Sequence, residues 1–322
     1  MKIVGLIMLL VASNPLFASY NLEKIYKDKG IEVVQNELEK RLENKQFWEE
    51  YLQDVNTTFG YFESIEYTLV CKADMKTIDV FKNTQKKKEK VFQSTILTGK
   101  ITGGKTKEGD LKTPLGVYSL TKKLPSPDQF YGPLALVTNY PNTFDKIQGN
   151  TGSGIWIHGL PLSGERDPYT KGCIALENQD LVTLDKSINF SNSIVLIQKE
   201  NINSIQNSSL ATILANIYSW KNSWKNGDFE NYISFYSENF KKLDGTNFER
   251  FKQYKKSIFA KNEEKQIIFK DINILPYPNE ANRNIFYVQY FQNYTTKSHR
   301  FTGQKELYIE LIDDKIQILY EG

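Results

Sequence analysis

The chain is poor in the side chains that make versatile chemistry. Its 322 residues include two histidines and two cysteines. No metal site and no cofactor is expected from so small a set. Charge of one sign is also scarce: the net value is +3, and removing a leader that contains Lys2 would lower it to +2. That is too little to argue for nucleic acid as a partner. Long apolar runs are missing as well. The N-terminal run Ile3–Ala12 falls short of the roughly 20 residues a helix needs to span a bilayer, so no stable membrane insertion is expected. The glycine-rich stretch 98–116 has no Gly-x4-Gly-Lys-Ser/Thr, and no helical pattern follows it, which excludes a Walker-type phosphate loop. No cysteine is placed for lipid attachment near the N-terminus, since the first is Cys71.

What is present suffices for sizeable cores. Hydrophobic residues make up 40% and aromatic residues 13%, and the length suits two or three domains. Lys2, the apolar run, the Asn14-Pro15 break and Leu16-Phe17-Ala18 read as a signal peptide over 1–18, which implies export to the periplasm. Residues 19–60 read as a helical arm. Ile31, Val34, Leu38 and Leu42 form one stripe, continued by Phe47, Trp48, Tyr51, Leu52 and Val55. Such a stripe needs a partner, either a neighbouring domain or a second subunit in a homodimer.

From 61 to 200 the pattern is mainly β. Tyr67–Cys71, Thr77–Phe81 and Val91–Leu97 read as strands, with the lysine run 86–90 as a solvated hairpin tip. Pro114 leads into a strand at 116–120. Residues 124–154 read as a flap, 178–186 as a helix and 193–198 as a closing strand. Residues 201–209 are polar and read as a linker to a separately folded unit. Over 210–322 three helical segments precede four strands, so the fold class is α+β. Trp220-Lys221-x-x-Trp224 and Tyr236-Ser-x-x-Phe240, in that order, resemble NTF2-like cone domains, which implies an enclosed pocket. His299 lies between Ser298 and Arg300 and reads as exposed.

One stretch concentrates chemistry. His158-Gly159 is followed by Thr170-Lys171-Gly172-Cys173, which puts histidine and cysteine 15 positions apart. A thiol attacks a carbonyl as thiolate, and a nearby imidazole can take its proton. Backbone N–H groups at Gly172 and Cys173 are candidates for an oxyanion hole. Trp156 lies on the strand-like run that delivers His158. A lone cysteine is more often a packed core residue, and Cys71, inside the apolar run 67–71, reads that way. A Cys71–Cys173 disulfide would block the proposed nucleophile.

The His-Gly…Thr-x-Gly-Cys block, with Gly109-Asp110-Leu111-Lys112-Thr113-Pro114-Leu115-Gly116 upstream, resembles the signature of L,D-transpeptidase catalytic domains over roughly residues 64–200. The resemblance implies a mainly-β catalytic domain acting on peptidoglycan, with Cys173 as nucleophile, His158 as base and the Gly159 carbonyl holding the imidazole. It makes Lys107 a candidate cleft residue. Two positions depart from the common pattern: Lys171 stands where many members have His, and Ala175 where many have a substrate-contacting Arg. Arg166 or Lys171 is then the candidate partner for the substrate carboxylate, with Thr170 and Trp156 also lining the site. The whole layout of helical arm, catalytic domain and cone looks like the cell-shape-determining L,D-carboxypeptidases of helical Gram-negative bacteria. That implies removal of the terminal D-alanine from tetrapeptide stems. An L,D-transpeptidase and a non-catalytic wall-binding scaffold are the alternatives.

Overall fold

The computed structural model describes residues 15–84, 86–200 and 205–322. Most of the expected leader, and residues 201–204 of the expected linker, lie outside that set. Among the described residues no helix is long and apolar enough to cross a membrane.

Three helices open the chain: α1 (Pro15–Lys29), α2 (Ile31–Leu42) and α3 (Lys45–Tyr51). Asn44 caps α3, its side chain accepting from the Gln46 N–H. The arm packs on the far end of its own chain. Trp48 is buried, stacks on Tyr218 at 5.7 Å and donates from Nε1 to the Leu42 carbonyl at 2.7 Å. Lys225 pairs with Glu39 at 2.7 Å. The expected stripe is only partly used: Val34 is buried, while Ile31, Val33 and Leu38 remain exposed.

The first sheet has eight strands in the order β4-β3-β2-β9-β5-β6-β7-β8. These are β2 (Tyr67–Lys72), β3 (Thr77–Asn83), β4 (Lys88–Thr95), β5 (Gly116–Pro125), β6 (Leu134–Thr138), β7 (Trp156–His158), β8 (Ile174–Ala175) and β9 (Ser193–Gln198), with α4 (Thr143–Ile147) and α5 (Asn178–Ser187) between them. β2, β5 and β9 form its centre; β9 is buried at every position and runs parallel to β2. A central strand buried on both faces reads as a continuous apolar run, as 194–197 does.

The second sheet is β1-β10-β11-β12-β13, built from β1 (Tyr61–Phe62), β10 (Gln266–Pro276), β11 (Ile285–Thr295), β12 (Arg300–Ile312) and β13 (Lys315–Glu321). It curls around α6 (Asn207–Asn226), α7 (Phe229–Ile233) and α8 (Phe248–Phe259). Gly227 in the left-handed conformation ends α6.

Four details differ from the sequence reading. β1 belongs to the second sheet, paired with β10, although it sits at the start of the segment read as catalytic. The 124–154 flap contains α4, whose Phe144 is buried and stacks on Tyr308 of β12 at 4.7 Å. Lys88 is no solvated tip residue: its ammonium donates to the Gly60 carbonyl at 2.7 Å and lies 4.7 Å over the Phe62 ring. Burial pulls its pKa down to about 7. Finally, the two domains share a core. Val70, Val117, Phe144 and Leu196 of the first meet Leu275, Tyr277, Tyr287 and Tyr308 of the second in one cluster. A polar linker does not imply independence when its flanking domains bury apolar surface against each other.

The arm is therefore part of the folding unit. Trp48→Ala should cost about 3–5 kcal/mol in denaturant unfolding, the usual range for a buried tryptophan. An unchanged midpoint would mean that the arm docks without contributing to the fold.

Candidate active site

β6, β7 and β8 form the edge that carries the site. β7 and β8 are parallel, with Ile157 opposite Ile174 and His158 opposite Ala175. Cys173 precedes β8 and comes beside Trp156. Alternation then puts Trp156, His158, Cys173 and Ala175 on one face. The Trp156 N–H is directed at the Cys173 sulfur, whose thiol points to the Gly154 carbonyl at 3.3 Å.

His158 is 1% exposed. Its Nδ1 lies 2.7 Å from the Gly159 carbonyl, an acceptor, so Nδ1 carries the proton and Nε2 keeps a lone pair. Gly159 is held in turn: its N–H donates to the Tyr131 carbonyl at 2.9 Å. A Cβ at Gly159 would come 2.2 Å from Asn178 Oδ1 and 3.2 Å from Gly132 Cα, so any side chain there would displace the carbonyl that fixes the imidazole. Asn178 Oδ1 accepts from the Leu160 N–H at 2.9 Å. The Tyr131 ring meets the imidazole edge-on at 5.0 Å and Trp156 at 4.9 Å.

The nucleophile segment is bonded to the glycine-rich loop. Thr170 donates from its N–H to the Thr98 carbonyl at 2.8 Å, and Lys100 donates to the Thr170 carbonyl at 3.2 Å. Gly172 has φ +133°, and a Cβ there would sit 2.7 Å from the Lys112 carbonyl. Thr170 is buried, and its hydroxyl bridges the turn. It donates to the Cys173 carbonyl at 2.6 Å and accepts from the Gly172 N–H at 3.0 Å. The side chain of Thr170 thus faces its own turn, and the Gly172 N–H is already engaged.

The charges of two cations, Arg166 and Lys105, reach the sulfur. Arg166 donates to the Tyr169 carbonyl at 3.2 Å and to the Asp167 carbonyl at 3.4 Å, while its Nη1 is buried with no protein partner. Lys105, which the sequence reading passed over, is 5% exposed, pairs with Asp110 at 2.7 Å and donates to the Lys107 carbonyl at 2.8 Å. Burial raises Asp110, but Lys105 and three backbone N–H groups outweigh it and hold the carboxyl down at about 2. Lys107 and Lys171 are exposed, and the bonds of Lys107 are made by its backbone.

Burial sets the proton inventory. It pushes His158 down to about 4 against the pull of the Gly159 carbonyl, and Arg166 adds to the fall. It pushes the Cys173 thiol up, while the Trp156 N–H, Arg166 and Lys105 draw it part of the way back. At neutral pH the pair is therefore thiol plus neutral imidazole, not an ion pair. Cys71 is free, fully buried and pushed up by burial alone.

The cone holds a cavity of about 560 Å³. Lys242, Lys255, Lys261, Lys265 and Lys305 line it against two acids, Glu263 and Glu321. Trp224 and Tyr294, stacked at 4.9 Å, form a wall, and the buried Gln292 has an unpartnered Oε1. His299 is exposed at the rim of this cavity.

A buried histidine tied to its neighbour's carbonyl, on the strand beside a Gly-Cys turn, defines an L,D-transpeptidase-type catalytic domain. The family model for the L,D-transpeptidase catalytic domain matches residues 66–196. Two others match the flanks: the cell-shape determining Csd6 N-terminal dimerization domain at 13–53 and the Cds6 C-terminal NTF2-like domain at 212–322. The helical cell shape determining protein Pgp2 from Campylobacter jejuni is 40% identical, with a TM-score of 0.81, covering 87% of this chain and 99% of that one. Bd1075 from Bdellovibrio bacteriovorus is 27% identical with a TM-score of 0.67, covering 83% and 96%. YafK of Escherichia coli strain K12, an L,D-transpeptidase by name, is 34% identical over 79 residues, so the matched part spans 29% of that relative. The chain belongs to the family of cell-shape determining proteins with an L,D-transpeptidase catalytic domain between an N-terminal dimerization domain and a C-terminal NTF2-like domain.

Because the resting thiol is neutral, alkylation of Cys173 by iodoacetamide should climb through pH 9 without a plateau at pH 6–7, with Cys71 unmodified in the folded protein. A plateau in the neutral range, followed by mass spectrometry of the cysteine peptides, would reveal a preformed thiolate–imidazolium pair instead.

Proposed function

We propose that the protein is a periplasmic peptidoglycan L,D-carboxypeptidase. It removes the terminal D-alanine from tetrapeptide stems, giving tripeptides and so affecting cell shape. The observation that carries the reading is the placement of His158 on β7 beside the turn that ends in Cys173, with the charge of Arg166, whose Nη1 has no protein partner, acting on both. A D-alanine terminus offers both things this arrangement suits: a carbonyl for sulfur and a carboxylate for a guanidinium.

The reaction runs in two halves. The Cys173 sulfur attacks the carbonyl carbon that joins the diamino acid to D-alanine, and the thiol proton passes to His158 Nε2. The C–N bond breaks as that proton moves to the leaving amine, which departs as D-alanine. Water then loses a proton to His158 and attacks the thioester, releasing the tripeptide carboxyl and restoring the thiol. With the Gly172 N–H engaged by Thr170, the Cys173 N–H is the backbone donor we assign to the developing oxyanion.

Hydrolysis is preferred to transfer because Ala175, buried in β8, supplies none of the side-chain contact expected of the usual arginine, and because the three-part layout matches the cell shape determining protein Pgp2 over 87% of this chain. The lysine-lined cone cavity suits carboxylates and sugar faces, and we assign it to holding the substrate wall polymer. The exposed Ile31, Val33 and Leu38 of the arm suit a homodimer contact.

Incubating the protein with disaccharide tetrapeptide and weighing the products tests the reading. Free D-alanine and tripeptide are expected. Cross-linked dimers in place of tripeptide would make the protein a transpeptidase, and no turnover would leave the scaffold reading. Cys173→Ala and His158→Ala should each abolish release in folded protein. Arg166→Ala should lower kcat/KM by roughly tenfold, the scale of one lost charge-assisted bond. On the acid side, activity should fall as pH drops through about 4, where His158 takes up a proton and ceases to be a base.

A further inference from the structure

Arg166 is held on a mobile type of element, the long loop between β7 and β8, yet its guanidinium is fixed on three sides. Two are the backbone carbonyls of Asp167 and Tyr169. The third is an aromatic face: the Arg166 guanidinium carbon lies 5.2 Å from the centre of the Phe130 ring. Phe130 is 45% exposed, so packing into a core does not explain its place. Its backbone is well anchored. The Phe130 N–H donates to Asp128 Oδ1 at 2.9 Å, and the Gln129 carbonyl accepts from the Leu162 N–H at 3.0 Å. The next residue, Tyr131, touches the His158 ring. One short turn, 128–132, therefore contacts both the base and the cation of the site.

We infer that Phe130 is a positioning and specificity residue: its ring face holds the Arg166 guanidinium beside the site, with Nη1 left without a protein partner for a substrate's free C-terminal carboxylate. The inference rests on the carboxypeptidase reading for the identity of the anion. The placement of Arg166 stands on the geometry alone. A flat guanidinium stacks on an aromatic face while its edge stays free for a bidentate carboxylate. Such a clamp selects chain ends over internal peptide bonds, because an internal residue offers no carboxylate.

Two measurements test it. The first needs no substrate. Arg166 favours the Cys173 thiolate, so Phe130→Leu should slow alkylation of Cys173 at pH 8 by about twofold to fourfold, the scale of one exposed cation–π contact. Phe130→Tyr should restore the rate. Arg166→Ala should show the same slowing, and Phe130→Leu added to it should slow it no further. Unchanged alkylation in Phe130→Leu, or full additivity with Arg166→Ala, would overturn the proposal. The second compares a tetrapeptide stem with its C-terminal amide. Phe130→Leu should lower kcat/KM for both, through the thiol they share, but by a further twofold to fourfold for the free acid, which alone uses the carboxylate contact. Equal loss on both substrates would overturn the role of Phe130 in selecting a free carboxylate. If the wild-type protein hydrolyses neither compound, the carboxypeptidase reading fails, and the alkylation cycle still decides whether Phe130 places Arg166.

Discussion

The hydrogen bond from His158 Nδ1 to the Gly159 carbonyl is the contact on which the site depends. An imidazole buried to 1% exposure must satisfy its N–H, and the nearest available acceptor is the carbonyl of the next residue. That choice fixes the tautomer without a carboxylate. A negative partner would raise the proton affinity of the ring; a neutral carbonyl raises it less, and burial wins. The geometry is guarded by crowding. Asn178 and Gly132 come so near Gly159 that only glycine fits, and the Tyr131 carbonyl takes the Gly159 N–H. Three segments distant in sequence thus converge to hold one carbonyl.

The same logic extends to the relation between domains. Phe144, Tyr277 and Tyr308 stack within one cluster, and Asn142 bridges it by donating to the Tyr277 hydroxyl at 3.0 Å. α4, which carries Phe144, follows β6, the strand that pairs with β7 and so frames His158. The NTF2-like domain therefore braces the catalytic sheet from behind. The arm completes the body by packing on α6 of the cone, so the two ends of the chain are joined while the catalytic domain is threaded between them.

Much of this was legible in the sequence, and the limits have a physical pattern. Strands read from short β-rich runs bounded by turns sit where expected, as at 67–71 and 193–198, because local pattern decides them. The motif marked the two segments that the β7–β8 register sets side by side, which brings Cys173 next to the strand of His158. What escaped depends on contacts between distant segments. Lys105 looked like any loop lysine until the fold buried it against Asp110, where its charge reaches the thiol. Lys88 looked solvated because nothing in its neighbours announces Phe62 and the Gly60 carbonyl. Phe144, inside a Pro- and Asn-rich stretch, gave no sign that it faces Tyr308. Thr170 matched the motif as a site residue, yet its hydroxyl serves the turn.

The opposed shifts of Cys173 and His158 explain why cations gather where no ion pair exists. Burial alone would leave a thiol too reluctant to ionise and an imidazole too weak to take its proton. Lowering the barrier on the sulfur side requires positive charge near the thiol, which Arg166 and Lys105 supply. The same Arg166 charge makes His158 a poorer base, so the site trades one against the other. A substrate carboxylate bound to Arg166 would offset its charge, returning basicity to the imidazole while withdrawing support from the thiolate. On the carboxypeptidase reading we propose, substrate binding would therefore shift the balance from support of the thiolate toward acceptance of its proton.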